Sequence, residues 1–118
     1  MANDIFFNLG LSLILMHEMD AIRCKEWRIF PGLSLIKDDK LGYIIFTFAH
    51  IPLFYFVFHN LFMDDNISFR LGLDYFFIIH LGLHLLFLIH PKNDFKDWIS
   101  WTIIGGTAAC GLLDIFFA

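Results

Sequence analysis

Charge is scarce in this sequence. Asp, Glu, Lys and Arg make up 17 % of its 118 residues, against about 25 % in ordinary soluble domains. Eight basic residues and a formal net charge of -4 leave no cationic face, which argues against a nucleic-acid partner. Cysteine is nearly absent: Cys24 and Cys110 are too few and too far apart for a disulfide framework or a Cys-x-x-Cys site. No Lys or Arg precedes the first apolar run, so that run lacks the basic start of a cleaved signal peptide and reads as a retained helix. Repeats, low-complexity stretches and long linkers are missing as well, so residues 1–118 read as a single domain.

What fills the space is apolar. The hydrophobic fraction is 58 %, with sixteen Phe, and the mean hydropathy is +0.69. That composition is the signature of an integral, multi-pass membrane protein. Four runs are long enough to cross about 30 Å of hydrocarbon, at about 5–27, 41–62, 67–90 and 95–117. Asn3 or Asp4, Asp38 or Asp39, and the Asp64-Asp65-Asn66 turn supply caps. Pro31-Gly32 and Pro91 break the pattern between runs. Short connections force antiparallel neighbours, giving an all-α, up-down-up-down, four-helix transmembrane bundle. Gly105, Gly106, Ala108, Ala109 and Gly111 mark the last helix as a close-packing one, and Gly82 has the same potential. Arg23, Lys25, Arg28, Lys37 and Lys40 lie around the first connection, Lys92 and Lys96 at the third, and Arg70 alone near the second. The positive-inside bias predicts both termini outside.

Within this background the ionisable residues at membrane depth stand out, since each costs kilocalories without a partner or a task. Counted from the basic end at about 1.5 Å per residue, His17, Asp20, His50, His80 and His84 fall in one band. His59, Asp74 and Asp114 fall in a second, deeper one. His80-Leu-Gly-Leu-His84 places two imidazoles one turn apart on one face, a spacing used to hold zinc or iron. His17 and Asp20 lie about 60° apart on the first helix. The five ligands predict a divalent metal site, zinc favoured over iron, with one ligand to spare. A plainer role for Asp20 is an i,i+3 pair with Arg23. His59 and His90 read as hydrogen-bonders, and Trp27, Trp98 and Trp101 as an interfacial aromatic belt.

His17-Glu18-x-Asp20-Ala21, Glu26-Trp27-Arg28, His50 and His80-x-x-x-His84 together resemble small uncharacterised bacterial four-helix membrane proteins. That resemblance implies residence in a bacterial inner membrane and brings no established activity. More loosely, the first helix is similar to families with a His-x-x-Glu-Glu signature, with Ala21 standing where the second acid would be. Alkaline ceramidase-like membrane hydrolases offer a chemical analogy only.

The first expectation for function is a metal-dependent hydrolase acting on a lipid-like substrate. Glu18 or Asp20 would be general base, with Arg23 or Thr107 steadying the oxyanion. Competing readings are a haem b electron-transfer protein with axial His50 and His80 or His84, a cation or proton transporter subunit acting as a homo-oligomer, and a non-catalytic interaction subunit.

Overall fold

The computed structural model describes residues 4–117, and Asn3 lies outside them. The described residues form four long helices and no strand. They are α1 (Ile5–Arg23), α2 (Asp39–Phe58), α3 (Ile67–Phe87) and α4 (Trp98–Phe117). All four are long and apolar enough to cross a membrane.

The starts of α1 and α3 and the end of α4 fall where the sequence predicts, and the other boundaries differ by two to four residues. α1 stops at Arg23 rather than near 27 because Lys25 adopts a left-handed backbone, φ 53°, where a helix cannot continue. The chain then turns back through a short 3-10 turn at Glu26–Arg28. Asp38 caps α2 by accepting from the Lys40 N–H at 3.0 Å. α2 then loosens into a π turn at His59–Met63. Asn66 caps α3 by accepting from the Phe69 N–H at 3.0 Å. α4 begins at Trp98, where Asp97 accepts from the Ser100 N–H at 3.0 Å. Asp4 precedes α1 without a side-chain cap bond and pairs instead with Arg70 at 2.7 Å.

Contacts at the two ends fix the helix directions. Arg70, near the start of α3, reaches Asp4 before α1 and, at 3.6 Å, Asp114 near the end of α4. At the other end, Arg23 closing α1 meets Asp97 before α4 at 3.1 Å. α1 and α3 therefore run the same way and α4 runs against both. Seven of the eight basic residues gather at the Arg23 end.

The four helices are not equivalent partners. α4 packs along both α1 and α3 and is the most buried span, 44 %, while α2 is only 11 % buried. Small residues set these distances, since in an apolar medium close packing rather than hydrophobic burial joins helices. A Cβ on Gly111 would stand 2.7 Å from the Asp74 carbonyl oxygen, and one on Gly10 3.0 Å from Cys110 and Phe77. Gly82 and Gly105 face open space, so neither sets an interhelix distance. α2 joins chiefly through its first turns. Gly42 lies under the Trp27 ring, and Tyr43 and Phe46 pack beside that ring. The resulting fold is a three-helix core with a fourth helix leaning against one end.

Candidate metal centre

Beneath the Arg23 end of the core, three imidazoles meet. His17 comes from α1, and His80 and His84 come from successive turns of α3. One nitrogen from each lies within 4.8 Å of the others. Ring centroids are 4.4 Å apart for His17 and His80, 4.8 Å for His17 and His84, and 4.5 Å for His80 and His84. Exposure is 0 % for His17, 7 % for His80 and 1 % for His84. Both nitrogens of His17, both of His84 and Nδ1 of His80 are buried without a hydrogen-bond partner among the described residues. Buried polar groups nearly always find partners, so five such nitrogens in one spot call for a ligand.

The surroundings are built to hold the rings still. Phe95, fully buried, stacks on His17 at 5.4 Å and meets His84 edge-on at 4.6 Å. Its backbone is pinned from both sides. Asn93 Oδ1 accepts from the Phe95 N–H at 3.2 Å, and the Trp101 indole donates to the Phe95 carbonyl at 2.8 Å. Glu26, 7 % exposed, brings a carboxylate oxygen to 3.5 Å from His17 Nε2 without a hydrogen bond between them. The left-handed Lys25 makes this approach: on an uninterrupted helix Glu26 would sit about 180° from His17.

The other expected ligands lie elsewhere. Both Asp20 oxygens are taken up, Oδ1 accepting from Arg23 Nε at 2.7 Å and Oδ2 from the Ser100 hydroxyl at 2.6 Å. Arg23 also donates to Ser100 at 3.0 Å. The Asp20–Arg23–Ser100 group is thus an α1–α4 staple. His50 turns toward α1, its Nε2 2.6 Å from Glu18 and its Nδ1 2.6 Å from the Phe46 carbonyl. Thr107 donates to the Ile103 carbonyl at 2.8 Å. The structure therefore brings together His17, His80 and His84, adds Glu26 and the Phe95 cover, and engages Asp20, Arg23, His50 and Thr107 with other partners.

Of the deeper polar group, Asp74 and Asp114 face each other, 2 % and 3 % exposed, with Arg70 beside them. His59 stands apart from that pair. It is nearly half exposed, 3.4 Å from Asp64, and stacked on Tyr55.

Four membrane-length apolar helices and a buried histidine triad, five of whose ring nitrogens lack a hydrogen-bond partner among the described residues, define the class. Within that class the chain belongs to a family of unknown function (DUF6713), whose model matches residues 3–118. No curated protein and no solved structure matched the chain.

Proposed function

We propose that this chain is a multi-pass membrane protein that holds one divalent ion, zinc ahead of iron, on His17, His80 and His84, and uses it in hydrolysis of a lipid-like ester or amide. The observation that carries this reading is the triad of imidazoles, all at least nine-tenths buried, with unpaired nitrogens from two helices within 4.8 Å. Donors on one tetrahedral zinc lie about 3.3 Å apart, so small ring rotations complete the geometry. A bare ion is favoured over haem b because His50, the expected axial partner of His80 or His84, is engaged by Glu18 and the Phe46 carbonyl at 2.6 Å each, and the three remaining rings meet directly, with centroids 4.4–4.8 Å apart.

Three imidazoles and an open fourth position are the pattern of catalytic zinc, which supplies Lewis acidity and a water acidic enough to attack at neutral pH. The chain supplies the rest. Glu26, 3.5 Å from His17 Nε2, would serve as the outer partner that orients the His17 ring. Phe95 shields the site from bulk water. The overall reaction adds one water across the acyl bond, releasing an acid and an alcohol or amine. The basic end, which carries this site, is the cytoplasmic end by the positive-inside bias, and the membrane is a bacterial inner membrane.

The test is elemental analysis of detergent-purified protein. The expected result is one equivalent of metal in wild type, none in His80→Ala, and an affinity lower by about 10–100-fold in Glu26→Gln. Wild-type protein carrying no stoichiometric ion would overturn the reading.

A further inference from the structure

Because α2 leans away from the core, a cleft of about 490 Å³ opens between α1, α2 and α3. That volume is in the range of small-molecule sites, about 300–1,000 Å³. Its walls include Leu11, Leu15, Leu53, Phe69 and Phe76, and its polar side chains are Glu18 at one end and Ser68 at the other. From Glu18 to Leu11 along α1, and from Phe77 to Ser68 along α3, it runs about 10–14 Å. The Glu18 end lies on the side of the candidate metal centre, whose three histidines are not among the lining residues. Glu18 follows His17 in sequence, and Phe76, in the cleft wall, lies 5.6 Å from the His80 ring.

We infer that this cleft binds the single hydrocarbon chain of a neutral ester or amide, with the polar group at Glu18 and the chain running toward Ser68. Three observations commit it to that occupant. The walls belong to helices long and apolar enough to span a bilayer, where hydrocarbon chains are the surrounding medium. No Lys or Arg lies among the described lining residues, so nothing there neutralises a phosphate or a carboxylate, and an anionic head is disfavoured. The Glu18 end also carries a hydrogen-bonding dyad suited to an uncharged polar group. His50 Nδ1 faces a carbonyl, which can only accept, so Nδ1 carries hydrogen. Its Nε2 lies 2.6 Å from a Glu18 carboxylate oxygen. The dyad is partly open, its side chains 18 % and 24 % exposed. Binding of the chain stands on the cleft itself, and only placement of the reacting bond rests on the metal-centre reading.

The test is photolabelling of the detergent-purified full chain with glycerol monodecanoate, whose acyl chain matches the cleft in length, carrying a diazirine either next to the ester or at the tail. The ester-side probe is expected to label Leu15 and Phe76, and the tail probe Ser68 and Phe69. Gly72 lines the cleft and a Cβ there meets nothing within 4 Å. Gly72→Phe therefore fills the cleft without a backbone clash, and labelling is lost. Val57→Trp, from the opposite wall, gives the same loss by a second route. Gly82→Phe, likewise in open space but outside the cleft lining, leaves labelling intact. Even labelling of lipid-facing side chains, unchanged by Gly72→Phe, would overturn the proposal, as would the two probes labelling in the reverse order. Specific labelling of a wild-type protein that binds no metal would leave the cleft standing and remove the metal reading. A full equivalent of metal with even labelling would do the opposite.

Discussion

His80 and His84 are visible in the sequence as a pair, because an i,i+4 spacing on a long apolar run admits one geometric reading. His17 is visible by its depth. Glu26 and Phe95 are not, because their positions depend on a left-handed residue and a loop that helix periodicity says nothing about. His50 and Asp20 show the converse: depth alone cannot tell which side of a helix faces which neighbour, and their faces point to Glu18 and Ser100. Each residue has a distinguishable consequence on substitution. With metal at 100 times its Kd, the ion adds about 2.7 kcal/mol to the folded state. His84→Ala should lose that increment along with the ion, lowering the melting temperature measured in excess zinc. His59→Ala should change neither, because that ring pairs with Asp64 away from the triad. Acidification should release the ion, since only neutral imidazole binds it. Burial raises the Cys24 thiol above its ordinary pKa, and Cys110 is buried as well. Neither should react with maleimide at neutral pH until the protein is unfolded, which mass spectrometry reads directly.

The helices themselves were legible because four apolar runs of membrane length separated by charged turns allow little else. Their ends were less so. The expected first helix ran through Trp27, and the observed one stops where Lys25 turns left-handed. How unevenly the four helices pack was not legible, because hydropathy does not report packing partners. α2 is as apolar as the others yet packs least. Small residues carry the information that hydropathy lacks, but only those facing a neighbour use it. Gly111→Ala sets a methyl against the Asp74 carbonyl, where backbone must yield, and should cost about 1–3 kcal/mol. Gly105→Ala meets open space and should leave stability unchanged or slightly higher. Denaturation of both in the same detergent tests the contrast. At the start of α4, the Ser100 N–H and then the Arg23 guanidinium hold Asp97 below the usual carboxylate range. A depressed folded pKa means a stabilising contribution that is complete above about pH 4. It is lost as pH falls through the lowered value, so Asp97→Asn should flatten the acid side of the stability profile.

At the scale of the whole molecule the decisive asymmetry is in charge. Arg23 and Asp97 meet across the first and third connections, as do Cys24 Sγ and the Asp94 carbonyl at 3.6 Å. Those two connections therefore share one end of the molecule and carry seven of its eight basic residues. The remaining one, Arg70, is occupied at the far end by Asp4 and Asp114. Positive charge close to helix ends is retained on the cytoplasmic side, so the proposed orientation would put the candidate metal site beneath the cytoplasmic surface and the Asp74–Asp114 pair toward the outer one. The native thiols are buried, so an introduced cysteine can report on this without background. Lys37→Cys, at an exposed position of the first connection, should stay unlabelled by a membrane-impermeant maleimide in intact cells and react once the membrane is permeabilised. Met63→Cys, 76 % exposed at the opposite end, should react in intact cells. The reverse pattern would invert the molecule and place the metal centre on the outer face, where an enzyme built on it would meet substrates from the outer leaflet.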